Sequence, residues 1–502
     1  MQKKQTILVV ASLLVVVLSV TLAYFTAQII GKEKNVTINS ADLKIIFTDS
    51  DGSISGSNIE PGKWNVAKTF TIENKSNETY KYNIVIQELV NTFVTEGYLQ
   101  YKITSTNGGY NMAEFKDVPK SETATDTILA YSASIDVGIT QSYTVEFIYK
   151  NDESVDQSED MGKTLSGKLF ITEGTKEPVT LLSQILNDNS TRLTRTDFNT
   201  TFTEINTGTL YKATESIAGN TSKDVYYFAG DAKNNWVKFG GFYWRIIRTN
   251  YDGSIKLLYA GTSPNTTSGY IGTSKFNTTY NDPMYVGYKY GTTGSLENNR
   301  LNTNDSTIKT YIDNWYNNNL SSYSKYISTE AVYCNDRELA SGSTYNTGDT
   351  TFYYAPYGRL KTNKTPTYNC TNIKDAFSGS NSEAKLTYPI GLMTADEIAY
   401  AGGKVDTSLP SPYAWYYLNS AGGSITGNTW WWSLSPYLWS GSFSFVWFVY
   451  GSGSPGYLYY DIVGNASLAV RPAISLKTCT VWTSGDGTPS NPYEIDYDNS
   501  NC

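Results

Sequence analysis

The sequence predicts an all-β sandwich followed by a larger α+β domain, behind an N-terminal transmembrane helix. Three observations carry this expectation. Residues 6–25 form an apolar run without a charge. Residues 35–174 break into short β-branched or aromatic runs separated by turn clusters, roughly seven strands' worth. Residues 208–502 mix such runs with two short helical patterns.

The first element is the apolar run. Lys3 and Lys4 precede it. At ~1.5 Å per residue it spans ~30 Å, the hydrocarbon thickness of a bilayer. Its apolar residues run all round rather than in the stripe of a surface helix. The lysines hold the N-terminus in the cytoplasm, so everything beyond Phe25 is exported. Residues 1–30 are then either a retained membrane anchor or a cleaved signal.

Within 35–174 the strand candidates are 45–47, 69–72, 80–86, 143–149 and 168–172. Turn clusters fall at 49–62, 73–78, 105–109 and 150–162. The segment 49–60 has the look of a calcium loop, but placing Gly52 at position six puts Phe47 at position one. It is read as a polar turn, and no metal site is expected. Residues 175–207 read as a linker: Pro178 leads a short amphipathic helix through Leu181, Leu182, Ile185 and Leu186, and a Thr/Asn-rich stretch follows.

The domain at 208–502 opens with strands at 225–230, 236–249 and 253–261, the last two joined by a hairpin turn, NYDGS. In 305–320, Ile308, Tyr311, Ile312 and Trp315 share one helical face, with Asp305 or Ser306 as N-cap. A second helix opens at Thr394, which forms a capping box with Glu397 and ends near Gly402. Asp396 and Glu397 point apart on that helix and make no acid/base pair. Strands follow at 430–436, 445–450, 456–463 and 469–477. Between the helices, 320–390 is rich in loops. Arg471 is read as a buried arginine holding backbone carbonyls.

Composition excludes several functions. There is no histidine, which removes Ser-His-Asp and Cys-His catalysis and His-ligated zinc. Lys and Arg number 39 against 47 Asp and Glu, a net charge of −8, which argues against nucleic acid. No cofactor is implied and no enzyme is expected. The four cysteines are Cys334, Cys370, Cys479 and Cys502, with no CxxC pair. Of three pairings, Cys334–Cys370 and Cys479–Cys502 close the shortest loops. They require an oxidising compartment.

The most informative stretch is 433–476. It lacks Lys, Glu, Gln, Met, His and Cys, and its only charges are Asp461 and Arg471. The chain's own 17% charged fraction would put about seven there. Rigid aromatics among small polar residues are the chemistry of a binding surface. If alternate strand residues face out, an aromatic patch is exposed. The candidate ligand-binding residues are Tyr437, Leu438, Ser442, Phe443, Phe445, Phe448, Tyr450, Ser452, Tyr457, Tyr459, Tyr460, Asp461, Asn465 and Ser467. The alternative is a structural aromatic core. An A/T-rich genome would also enrich tyrosine, of which there are 42; the missing lysine is harder to explain that way.

Two resemblances bear on these readings. TLAYFTAQ, NSADLKI and EPGKWNVAKTFTIENKSNETYKYNI resemble the TasA/camelysin group of exported matrix proteins. That resemblance covers about 150 residues. It implies cleavage near Ala23 and Tyr24, and a sandwich that assembles into fibres by strand exchange; a plain spacer is the alternative. FYWRIIR, YPIGLMTADEIAYAGG, WWWSLSP and AVRPAISL resemble the C-type-lectin-like domains of bacterial surface proteins, including the variable proteins of diversity-generating retroelements. In those, AAC codons become NNC, which cannot encode Lys, Glu, Gln, Met or Trp. Trp439 and Trp447 would then be fixed scaffold.

The expectation is an exported cell-surface adhesion protein: a stalk at 35–174 and a C-type-lectin-like domain at 208–502 whose aromatic, hypervariable face binds a surface protein or glycan. The alternative is a self-assembling fibre or biofilm-matrix subunit.

Overall fold

The computed structural model describes residues 61–498 and 502, apart from 77, 161–162, 176 and 203, together with the backbone of three earlier strands, Asn35–Ser40, Leu43–Asp49 and Ile54–Ser55. The membrane segment at 1–30, the cleavage site at Ala23 and Tyr24, and most of the polar turn at 49–60 lie outside the described residues. Among the described residues no helix is long and apolar enough to cross a membrane. The chain is mostly β, with several antiparallel sheets and a few short helices. It divides after Glu177 into two units.

The first unit is built from two antiparallel sheets. One runs Asn35–Ser40, Leu43–Asp49, Asn65–Asn74, Thr140–Tyr149, Leu99–Ser105, Lys116–Asp117. The other runs Ile54–Ser55, Leu165–Glu173, Tyr80–Asn91, Ser121–Ile135. Period-two patterning decides which side chains enter the core. In Thr140–Tyr149, Gln141, Tyr143, Val145, Phe147 and Tyr149 are buried in alternation. The apolar ones join Ile72, Tyr82, Ile84, Ile103 and Ile171 from both sheets in one cluster. All five sequence-predicted strands are present. Five more were not foreseen: Asn35–Ser40, Ile54–Ser55, Leu99–Ser105, Lys116–Asp117 and Ser121–Ile135, the last with a polar, largely exposed SETATDT start.

The second unit contains a ten-stranded mixed sheet and a five-stranded sheet. Phe242–Thr249 and Ile255–Tyr259 form the expected hairpin, and Gly253 takes the positive φ its turn requires. Thr307–Asn319 is the first long helix, capped by the Ser306 side chain on Lys309 N. The connector reading of 175–207 needs correction. Leu181–Asp188 is a helix with Leu181 and Ile185 in the second unit's core. Thr191–Thr194 pairs parallel with Thr209–Glu215, and Leu181 N donates to Thr480 O. The helix was expected but its place in this core was not, and the unit begins at 178.

Helix Ala395–Tyr400 is the joint of the unit. Thr394 and Glu397 form the predicted capping box. Glu397 does more than cap. Its Oε2 accepts from Thr394 N, while Oε1 accepts from Lys256 Nζ at 2.7 Å and Arg248 Nε at 2.8 Å. Arg248 also grips Glu215 with both terminal nitrogens at 2.9 Å. All four ionic side chains are buried. Next to them, Arg359 joins Asp336 and Asp396. Burial by itself would raise the Glu397 carboxyl, but Lys256 and Arg248 together outweigh it and hold it below the usual glutamate value.

The loop-rich region is held by similar means. Cys334 and Cys370 are bonded, with Cα atoms 5.8 Å apart, and Cys479 is bonded to Cys502. Arg337 donates to Asp375, Asn302 and the carbonyls of Lys289, Asn299 and Lys374. Arg300 takes the other oxygen of Asp375. Both disulfides match the sequence expectation and point to an oxidising, extracytoplasmic location.

Glu397→Gln should cost about 3–5 kcal/mol at neutral pH, because two buried cations lose their charged partner. A carboxyl with a depressed folded value stabilises fully above its unfolded value, ~4.3, and loses that contribution as pH falls through the folded value. Thermal unfolding from neutral to about pH 3 should therefore show a steep acid decline in the native chain and a shallower one in the variant.

Candidate functional site

The five-stranded sheet carries the candidate site. Its order is Phe352–Tyr353, Trp431–Trp439, Ser444–Val449, Tyr457–Ile462, Lys404–Val405. Trp431–Trp439 is buried at every position, and Ser444–Val449 at all but Phe445. Neighbours Trp447 and Phe448 are 0% and 1% exposed although they point to opposite faces. The inner strands are thus covered on both sides. This overturns part of the sequence reading. Tyr437, Leu438 and Phe448, expected on an open face, are core residues at 2%, 8% and 1% exposure. Tyr437 is closed in by Trp447 on one side and Tyr460 on another. Trp430 lies flat on Phe448 at 5.0 Å.

What remains open is the outer strand and its turns. Tyr450, Tyr457, Tyr459, Tyr460, Phe445, Asp461 and Asn465 are half-buried; Ser442, Phe443, Ser452 and Ser467 are exposed. The open tyrosines form a continuous row. Ring centroids run Tyr450 to Tyr457 at 5.0 Å, Tyr457 to Tyr459 at 5.5 Å, Tyr459 to Tyr460 at 4.4 Å, and Tyr460 to buried Tyr437 at 3.9 Å. The last three pairs are stacked, with interplanar angles of 15°, 29° and 10°. The row arises from local sequence. Tyr450 N bonds Tyr457 O across the Gly-Ser-rich turn, and Tyr457 and Tyr459 share a face as i and i+2. Phe443 stands apart against Tyr280. Asp461 accepts from Asn465 Nδ2 at 2.7 Å, so these two candidates serve each other.

One end of the row is charged. Lys404 pairs in register with Tyr457, and Lys361 Nζ lies 2.9 Å from Asp406 Oδ2. Lys361 also sits over the Tyr357 ring. Burial lowers the Lys364 ammonium, and the nearby Lys404 and Lys361 lower it further. The Tyr460 hydroxyl is pushed up to about 12 by its hydrogen bond with Tyr459 and by desolvation, with the Asp406 charge adding to both. Desolvation and Asp406 raise Tyr457 as well.

Sequence reasoning missed Trp430, Tyr353, Tyr357, Lys361, Lys364, Lys404 and Asp406. Tyr357 and Lys361 lie four residues apart on the helical stretch 355–363, which the loop-like composition of 320–390 concealed. Lys404 and Asp406 follow directly on the Ala-Gly-Gly end of the predicted helix. Arg471 is placed as expected: it donates to the carbonyls of Tyr259 and Tyr416 and lies over Trp431.

The other concentration of ionisable groups surrounds Glu397. It encloses about 20 Å³, room for one water. Each carboxylate there accepts from a cation, which is the arrangement of a structural cluster. Among the described residues no group of three or more acidic or cysteine side chains is placed to hold a metal ion. No protein-family model, curated protein or solved structure matches the chain.

The split between open and core aromatics has a direct test. Replacing Phe443, Tyr450 and Tyr457 together by Ser should change stability little, with surface positions near ~0.5 kcal/mol each. Phe448→Ala should cost about 3–5 kcal/mol. Denaturant midpoints of the two variants read the difference.

Proposed function

We propose that the chain is an exported cell-surface binding protein. Its second unit, C-type-lectin-like in this reading, captures a partner through the tyrosine row at 450–460, and its first unit is a stalk sandwich. The observation that carries the proposal is the half-open row itself. Four tyrosines lie in a chain of contacts, three on the Tyr457–Ile462 strand and Tyr450 across its turn, beside inner strands that are already sealed. The hydrophobic core does not require them there, because Trp447, Phe448 and Val449 fill it. Clustered aromatics at the surface are the usual energetic centre of an interface.

The residue types favour a variable face. The open positions hold Phe, Tyr, Asp, Asn and Ser, all of which an NNC codon can encode. The tryptophans of the window, Trp439 and Trp447, are 2% and 0% exposed. Variation at the open positions would leave the scaffold intact.

A second reading, the fibre subunit, has one favouring observation. Ser121–Ile135 spans 15 residues at the end of its sheet and, among the described residues, is paired on one side only, to Tyr80–Asn91. Such an edge can template strand addition. The stalk and fibre readings both leave the binding role to the second unit.

The test is capture of a partner from a surface extract of a neighbouring cell type by full-length, disulfide-bonded protein. Tyr450→Ser, Tyr457→Ser and Tyr459→Ser combined should abolish capture with thermal unfolding retained, since each aromatic hot spot contributes ~2 kcal/mol or more. Undiminished capture by the triple variant would refute the role of the row.

A further inference from the structure

The geometry of the row restricts what can occupy it. An open aromatic face stacks on sugar rings or cations. Here the faces are largely used: Tyr457, Tyr459, Tyr460 and Tyr437 are stacked on one another, and Tyr450 closes the free end at 5.0 Å. What an incoming molecule meets is ring edges and hydroxyls. Ring edges carry the positive part of the aromatic quadrupole, and phenolic hydroxyls donate hydrogen bonds.

The charges beside the row are mostly positive. Lys361, Lys364 and Lys404 gather beside Tyr457 and Tyr459 around Asp406, which also accepts from the Tyr457 hydroxyl. Lys404 Nζ is bonded to Asn199 O and Lys364 Nζ to Leu360 O, and among the described residues neither forms an ion pair with a carboxylate. Asp461, close enough to Tyr450 to raise its hydroxyl, is occupied by Asn465. This is a local positive excess on a chain of net charge −8.

We infer that the row receives an acidic peptide segment of a partner protein, its carboxylates meeting Lys361, Lys364 and Lys404 and the hydroxyl-tipped edges of Tyr457, Tyr459 and Tyr460. The inference rests on the reading of the row as a binding surface and adds the chemical class of the occupant. Closed ring faces disfavour a neutral glycan, and the lysines disfavour a basic partner. An extended acidic segment can lie along the row with the side chains of one face about 6.6 Å apart.

Binding of poly-L-glutamate, poly-L-lysine, dextran and hyaluronate to the full-length oxidised protein tests this. Three forms are compared: native, Lys361→Gln/Lys364→Gln/Lys404→Gln, and Tyr450→Ser/Tyr457→Ser/Tyr459→Ser, each checked for native thermal unfolding. Polyglutamate should bind the native chain best. The lysine variant should weaken it about tenfold, with a flattened salt dependence, and replacement of the three lysines by Arg should restore it. Tighter binding of hyaluronate, dextran or polylysine than of polyglutamate overturns the inference, as does failure of polyglutamate to bind. If the tyrosine variant loses polyglutamate while the lysine variant keeps it, the acidic inference falls and the binding surface stands. If neither variant changes binding, both fall.

Discussion

Glu397 sits fully buried with Lys256 and Arg248 on one oxygen and the Thr394 N–H on the other. The second unit is organised around that carboxylate. Through Lys256 and Arg248 it is fixed to the hairpin Phe242–Thr249 and Ile255–Tyr259; through Arg248 it reaches Glu215 on Thr209–Glu215; through its own helix it reaches the sheet that carries the tyrosines. Ser435 Oγ, on Trp431–Trp439, accepts from Ala395 N at the start of the same helix. Burying four charges is costly, and they are tolerated because each finds a partner of opposite sign. The arrangement fixes one relative placement of helix and strands where apolar packing alone would permit several.

From that placement follows which aromatics are left open. The five-stranded sheet is closed on both sides over its inner strands. Trp430 covers one side of Phe448, and Tyr437 is covered by Trp447, Tyr357 and Tyr460. The Tyr457–Ile462 strand, bordered by the two-residue strand Lys404–Val405, keeps all its rings partly in water. The site is therefore a margin of the core and not a separate patch. Its rings are held by stacking on rings that do belong to the core, which supplies the rigidity a binding surface needs.

Much of this was legible in the sequence, for physical reasons that differ by element. Strands with strict alternation, such as Thr140–Tyr149, announce themselves because one face is wet. The capping box at Thr394 and Glu397 is a local device, readable from four residues. The cysteine pairing followed from loop length. The burial of Phe448 and Tyr437 was not legible, since alternation assumes one solvated face and this sheet has two dry ones. Ser121–Ile135 was hidden because a strand edge open to water tolerates Ser, Thr and Asp. The lysines around Asp406 come from 361, 364 and 404, and only the tertiary fold brings them to the tyrosines. The helix Leu181–Asp188 was seen, but its membership of the core depends on partners as distant as Thr480.

The central claim is that the aromatic window is divided between a sealed core and one open row. Hydroxyl-radical footprinting of the full-length oxidised protein, read by mass spectrometry at single residues, measures that division. The account predicts rapid oxidation of Phe443, Tyr450, Tyr457 and Tyr459, with Tyr437, Trp439, Trp447 and Phe448 protected until the protein unfolds. Uniform protection across 437–460 would make the whole window core, and uniform reactivity would dissolve the scaffold that holds the row; either result contradicts the account.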